Sequence, residues 1–401
     1  MNLLLASVDS FPNMGGISTM AHHLANAFTD LGHEVVFVGP RGTYVPRELS
    51  RRYSIVEDWE SNVQHRSGEQ GLVEDARIRA LFSKIIARYG IQRVLLVHPF
   101  YYGIGAFDAC CDAQIPLSVY FHGFELRSQL KNKYPAGQRR LVRDRMISTL
   151  RERTFYLIGM ADEILVNSRY TGSLFEPFQV KPEVFPTGCG IPESDLEREL
   201  AVTEAYDSEQ KRKRRAALGL PRPTCLGYIG RLVPTKGVER ILTLCSQQPS
   251  LSAVIVGNGP DEVRLKKLAR SWDLHDRVIF LGRVDEVEKW QILRAMDFLC
   301  LLSEPDDGRG QVEGFGIALL EGAAAAAVPV SSGTGGMVDV VEHLHTGLLL
   351  PSNGAAAGAL LTSMAKDNTS MALLVKTARQ QLVNRFTWTA VAGRILKRWK
   401  R

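Results

Sequence analysis

The feature that most constrains this chain is an alternation, run through twice, of short apolar stretches with segments of amphipathic helical spacing. In the first half the apolar runs are NLLLASV, HEVVFVG, RVLLVHP, PLSVYFHG and EILVNS, and segments such as 17–31 and 73–88 between them have helical periodicity. Strands separated by helices do not pair as hairpins; they pair in parallel, with crossover helices covering the sheet. After VFPTGCGIP (184–192) comes a polar, charged passage through KRKRR (211–215). The alternation then starts afresh with TCLGYIG, SAVIVG, RVIFLG, FLCLLS, AVPVSS and TGLLLP. A chain of 401 residues exceeds what one ordinary core supports. The pattern predicts an α/β protein with one parallel-sheet domain over 1–190 and a second over 191–385, closed by a basic amphipathic helix in FTWTAVAGRILKRWKR (386–401).

Composition narrows the class. Hydrophobic residues make up 45% and charged residues 23% of the chain, the balance of a soluble globular protein. The six cysteines, Cys110, Cys111, Cys189, Cys225, Cys245 and Cys300, form no CxxC pair and do not cluster with histidines, so neither a disulfide framework nor a structural metal is expected. No apolar stretch approaches the ~20 residues of a membrane helix. The opening MNLLLASVDSF lacks a basic leader and reads as a buried first strand, so a cytoplasmic, reducing location is expected. The net charge of +6 is mild, but 127–153 holds nine Lys and Arg against Asp144 and Glu152. That segment reads either as a solvated helix face or as a contact to an anionic membrane surface, which would make the protein peripheral at the inner face. Nucleic acid is not expected as a partner, because aromatic platforms are not interleaved with these charges.

Open α/β sheets bind ligands beyond the carboxyl ends of their strands, and four stretches fall there. In SVDSFPNMGGIST, Gly15 and Gly16 follow the first strand and precede a helix near Ile17; they allow backbone N–H groups to approach a phosphate or sugar, or simply make a tight turn. In YFHGFE, His122 stands at a strand end, with Gly123 and Glu125 beyond it, placed to hydrogen-bond a ligand hydroxyl or serve as an ordinary structural histidine. In YIGRLVPTKG, Gly230, Arg231, Lys236 and Gly237 put two cations at a strand-to-helix turn, which suits a diphosphate; the bland reading is a solvated basic loop. In EGFGIALLE, a helix starting near Gly316 leaves Glu313 just before it and Glu321 about 1.5 turns inside, with the N–H groups around Phe315, Gly316 and Ile317 free for a phosphate or sugar oxygen. The carboxylates are acceptors for the hydroxyls of a sugar and a ribose; otherwise Glu313 is a cap and Glu321 an exposed helix residue.

Laid side by side, these residues resemble the retaining glycosyltransferases of family four, which have the GT-B architecture of two facing Rossmann-like domains with parallel sheets and a deep interdomain cleft. The resemblance runs over nearly the whole chain, through the paired glycines, HGFE, ADEILVNS, GRLVPTKG, VGNGP, VIFLG, the two acids with seven residues between, GTGGMVDVV and TGLLLP. It implies that the C-terminal domain holds a nucleotide diphosphate sugar, with Arg231 and Lys236 on the diphosphate and Glu321 on the ribose. Glu313 and the amides of Phe315, Gly316 and Ile317 would then hold the donor sugar and adjacent phosphate. Gly16 and His122 would reach the donor from the N-terminal domain, which also receives a hydroxyl acceptor. The helix around Trp388 would cross back onto that domain. No bound cation or other cofactor is implied, and the catalytic set is His122, Glu313, Arg231 and Lys236.

Two departures from the family pattern are local. Asp339 stands where a Glu is common, and the usual small-residue-Gly turn before the proline is an alanine run, 323–327, one residue longer. Two other functions are compatible with the same motifs. One is a nucleotide-sugar epimerase or glycoside phosphorylase, although no pyridoxal-phosphate lysine is identifiable; the other is a non-catalytic nucleotide-sugar sensor.

Overall fold

The computed structural model describes residues 1–8, 15–43, 52–58, 69–99, 101–123, 152–190, 192–202, 206–221, 223–305 and 312–400. They divide into two compact units, one holding the described residues up to Gly188 together with the last helix from Trp388, the other those between Cys189 and Thr387.

In the first unit, β1 (Asn2–Ala6), β2 (Glu34–Pro40), β3 (Ser54–Asp58), β4 (Arg93–Leu96), β5 (Leu117–Phe121), β6 (Glu163–Val166) and β7 (Glu183–Val184) form one parallel sheet in the order β3-β2-β1-β4-β5-β6-β7. The period of two along a strand explains the apolar run of β1. Leu4 and Ala6 face a layer that includes Ile78, Phe82 and Ala106, while Leu3 and Leu5 face Met20, Leu24 and Phe28 on the other side. A strand buried on both faces has no polar positions to spare.

The closing helix, Trp388–Trp399, packs on Gly16–Asp30. Its apolar stripe of Trp388, Val391, Ala392 and Ile395 is buried there. Trp388 stacks on His23 at 5.3 Å and Trp399 on Phe28 at 5.5 Å, while Trp399 Nε1 donates to Glu163 at 2.7 Å.

The second unit repeats the plan with β8 (Thr224–Ile229), β9 (Leu251–Val256), β10 (Val278–Gly282), β11 (Phe298–Leu301), β12 (Val328–Ser331) and β13 (Leu348–Leu349). All pairs are parallel, in the order β10-β9-β8-β11-β12-β13. The order reverses between β1 and β4 in the first sheet and between β8 and β11 in the second, so a ligand crevice is expected beyond those strand ends.

Three elements lay outside the sequence reading. The edge strands β3 and β7 were not among the apolar runs, because SIVED holds only two aliphatic residues and β7 is two residues long. The charged passage is a helix, Ser208–Ala217, capped by Asp207 and burying Lys211 and Arg215. Arg215 donates to Ala295 O at 2.8 Å and Asp297 Oδ2 at 2.9 Å, so a buried acid on the facing edge accounts for its burial. Lys211 donates to Arg294 O at 3.3 Å and lies 5.6 Å from the Tyr206 ring, and burial pushes its ammonium down to about 7.

Candidate active site

At the carboxyl end of β8, glycines let three strand ends close up. Gly230 N–H donates to Val256 O at 3.1 Å and Leu232 N–H to Asn258 O at 2.8 Å. A Cβ on Gly257 would lie 1.9 Å from Gly230 O, and one on Gly259 2.2 Å from Leu232 O, so VGNGP brings the β9 loop flush against the β8 loop. The β8 loop then makes one turn at Pro234–Lys236 and ends at Gly237. Gly237 has φ 69°, and a Cβ there would meet Leu302 O at 2.0 Å. With Glu304 N–H donating to Thr235 O at 2.9 Å, the loop is pinned against the end of β11, across the point where the strand order reverses.

This loop presents its cations differently. Arg231 is exposed, and no described acid forms an ion pair with it. Lys236 is hydrogen-bonded to Glu313 Oε2. An ammonium has three protons, so this bond leaves two for an anion. Beneath the pair, Tyr228 donates to Arg231 O at 2.9 Å, and burial together with the Glu313 charge raises its phenol above the ordinary range.

The helix Ile317–Ala324 begins at Gly316, whose φ of 96° no side chain with a Cβ adopts comfortably and whose position carries no side-chain cap. A Cβ there would also crowd Leu301 at 3.1 Å and Met337 at 3.2 Å. Phe315, buried edge-on against Phe386 at 5.6 Å, anchors the approach. No side chain caps the first N–H groups of this helix, of which Leu319 N–H donates to Gly316 O at 3.0 Å. Glu313 is not that cap, because Gly316 holds the cap position and the Glu313 carboxylate is taken by Lys236; its carbonyl accepts from Gly336 N–H at 2.9 Å, and a Cβ on Gly335 would lie 2.2 Å from the same oxygen. The helix ends in a Schellman turn, Ala326 N–H to Ala323 O at 3.1 Å and Ala327 N–H to Gly322 O at 2.8 Å. Ala326 takes the left-handed position, φ 58°, that glycine usually fills, so the alanine run keeps the turn.

Glu321, fifth in this helix, is buried rather than an exposed helix residue. Lys289 Nζ lies 3.1 Å from its Oε1. Gly190 leaves room for that same oxygen, since a Cβ would come within 2.4 Å of it.

The structure thus gathers Gly230, Arg231, Lys236, Glu313, Phe315, Gly316, Ile317 and Glu321 at the ends of β8 and β11 and the helix that follows β11. Gly15, Gly16 and His122 belong to the first unit. Gly15 is extended, φ −165°, and a Cβ there would meet nothing within 4 Å, so the chain's own packing does not require glycine at this point. The helix starts at Gly16, where Ser18 Oγ bridges the N–H and carbonyl of Gly15 at 2.9 Å each. His122 Nε2 donates to Val97 O at 2.8 Å, and Val97 N–H donates to Ala6 O at 2.9 Å, which ties the ends of β5, β4 and β1 together. Burial holds the imidazole down to about 4 against the opposing effect of that carbonyl, so it is neutral at pH 7. Glu125 and the basic stretch up to Arg151 lie outside the described residues; Arg153 pairs with Asp75.

Lys289 and Gly190 were missed in the sequence. Lys289 stands three residues after Glu286, the spacing of an ordinary surface pair, and Gly190 falls at the domain boundary read from the sequence. Among the described residues no group of three or more His, Cys, Asp or Glu side chains is arranged to hold a metal ion. Nor is any described helix long and apolar enough to cross a membrane.

Comparison with solved structures gives HepE of Anabaena in complex with UDP and glucose, at TM-score 0.72 and 18% identity over 100% of this chain and 99% of that one. Sucrose-phosphate synthase of Thermosynechococcus elongatus superposes at TM-score 0.74 and 19% identity, over 100% and 98%. The fold is GT-B. Two family models match successive parts of the GT-B chain, Glycosyltransferase Family 4 over residues 14–190 and Glycosyl transferases group 1 over residues 210–381. Among curated proteins, the D-inositol 3-phosphate glycosyltransferase of Jonesia denitrificans is 26% identical over 50% of this chain and 49% of its own length. A GDP-mannose-dependent alpha-(1-6)-phosphatidylinositol monomannoside mannosyltransferase of Mycobacterium tuberculosis is 32% identical over 46% and 48%. The chain thus spans about half the length of these curated relatives.

Proposed function

We propose that the protein is a retaining, metal-independent glycosyltransferase that moves a hexose-type sugar from a nucleotide diphosphate sugar to a hydroxyl acceptor. The observation that carries this reading is the convergence of Arg231, the Lys236–Glu313 pair and the uncapped start of Ile317–Ala324 at the switch point of the second sheet. In such a transfer the bond between the anomeric carbon and the diphosphate oxygen breaks, the acceptor oxygen bonds to that carbon, and the acceptor proton ends on the diphosphate. Negative charge grows on the departing phosphate. Preorganised donors stabilise that charge without a metal: the guanidinium of Arg231, the two remaining protons of Lys236 and the helix N–H groups. Glu313, already held by Lys236, accepts from a donor-sugar hydroxyl, and Glu321 accepts from the ribose.

The first unit receives the acceptor. His122, neutral at pH 7, acts there as a hydrogen-bonding group rather than a charge. The relatives named for inositol phosphate and phosphatidylinositol mannosides favour a polyol acceptor bearing an anionic group, and with it peripheral work at the cytoplasmic face of a membrane. The experiment is calorimetry of UDP, GDP and ADP and their common sugar conjugates with EDTA present. Tight binding of one set is expected, followed by transfer to an inositol-type acceptor with the anomeric configuration of the donor kept in the product. Binding by none, or only after metal is added, refutes the proposal.

A further inference from the structure

Behind the proposed ribose carboxylate lies a group of charges that the transfer chemistry does not use. Lys289 sits in the first turns of the helix Glu286–Ala295, where a cation is disfavoured by the helix dipole. Its ammonium lies 2.6 Å from Glu286 Oε1 and 3.1 Å from Glu321 Oε1. Trp290 Nε1 donates to the same Glu286 oxygen at 2.9 Å, and the Lys289 ammonium lies 5.4 Å from the Trp290 ring. The side chains of Lys289 and Glu321 are only 14% and 10% exposed, so this is not a solvated surface pair. Burial favours the neutral form of Lys289, but the charges of Glu321 and Glu286 outweigh it and hold the ammonium above its ordinary range. Gly190 closes over Glu321 Oε1 from another side. One carboxylate oxygen is thereby engaged, while Oε2 takes no hydrogen bond from a described residue.

We infer that Lys289 is a positioning residue for the donor site: by holding Oε1 of Glu321 it turns Oε2 toward the ribose hydroxyls and sets the preference for ribose over deoxyribose. The inference rests on the donor reading above and deepens it. A lysine that merely braced two helices would affect every nucleotide alike; one that aims the carboxylate affects only nucleotides bearing the hydroxyl that Oε2 receives. Loss of that hydrogen bond to a charged group is worth about tenfold or more in affinity.

The test is calorimetry on the full chain with UDP, GDP and ADP, then with the 2′-deoxy and 3′-deoxy forms of whichever diphosphate binds. Wild type should prefer the ribose form over at least one deoxy form by about tenfold or more. Lys289→Met should lose most of that preference, and Lys289→Arg should keep it within about threefold. Lys289→Gln, which retains a donor without the charge, serves as the second variant if Lys289→Met does not fold. Equal weakening of ribose and deoxy forms or an unchanged preference in Lys289→Met overturns the positioning role while leaving the donor reading standing; a wild type indifferent to both hydroxyls overturns it together with the ribose role of Glu321. A wild type that binds none of the three diphosphates overturns both.

Discussion

Replacing Gly190 by alanine tests the ribose carboxylate with one methyl group. The new Cβ would stand 2.4 Å from Glu321 Oε1, about 1 Å short of ordinary van der Waals contact, and 3.1 Å from Ile317 Cγ2. The isoleucine methyl can yield a few tenths of an ångström, but the carboxylate cannot retreat freely, because Lys289 holds the same oxygen at 3.1 Å. The cheapest relief is a turn of the Glu321 side chain that moves both oxygens. A hydrogen bond to a charged group contributes about 1.5–3 kcal/mol, so the misdirected carboxylate should weaken nucleoside diphosphate binding by ~10–150-fold. Calorimetry beside a guanidinium unfolding curve separates the effects: the variant should lose affinity while losing less than about 2 kcal/mol of stability, since the clash falls on one side chain rather than on backbone. Wild-type affinity in a folded Gly190→Ala protein would show that the orientation of Glu321 does not matter to the nucleotide, and the ribose assignment would fall.

Three further outcomes follow from the same geometry. Lys236→Met should weaken diphosphate binding by ~10-fold or more, whereas Glu313→Gln should leave nucleotide affinity within about threefold and depress the transfer rate; similar losses of both quantities in both variants would contradict the division of labour. His22 and His122 are held down to about 3 and about 4 by burial, so the unfolded chain takes up protons that the folded chain refuses. Stability is therefore complete above pH 6.5 and falls as pH drops toward 4, by ~3 kcal/mol for His122 alone; a denaturation midpoint constant from pH 7 to 4.5 would refute this. Gly393 lies inside Trp388–Trp399 with nothing within 4 Å of its would-be Cβ, so Gly393→Ala should stabilise by up to about 1 kcal/mol, raising the thermal midpoint; a lower midpoint would mean that the Cβ meets an unseen neighbour.

The parts of this protein that were legible in its sequence are those in which one residue type answers to one physical demand. The apolar runs of β1 and β8 announce strands buried on both faces, and Gly237 and Gly316 mark backbone that a Cβ would obstruct or strain. The Lys236–Glu313 pair was readable only as two separate motifs, because 76 intervening positions hide a contact that the reversal of strand order creates. Lys211, Arg215 and Lys289 were illegible for a related reason. A charged side chain in a polar segment is read as solvated unless its counter-charge is known; the acids that pair with Arg215 and Lys289, Asp297 and Glu321, stand on other elements of the second sheet's layers, while no described acid forms an ion pair with Lys211. What distinguishes the two cases is function rather than burial. Asp297 is engaged on both oxygens, Oδ2 accepting from Arg215 at 2.9 Å and Cys225 N–H at 2.8 Å and Oδ1 from the Tyr206 hydroxyl at 2.9 Å, although Arg215 Nε is buried without a hydrogen-bond partner among the described residues. Lys289 satisfies only one oxygen of Glu321 and leaves the other without a described partner. A structural carboxylate such as Asp297 fills both its oxygens, and one that stops halfway at a strand-end site leaves the other oxygen for a ligand.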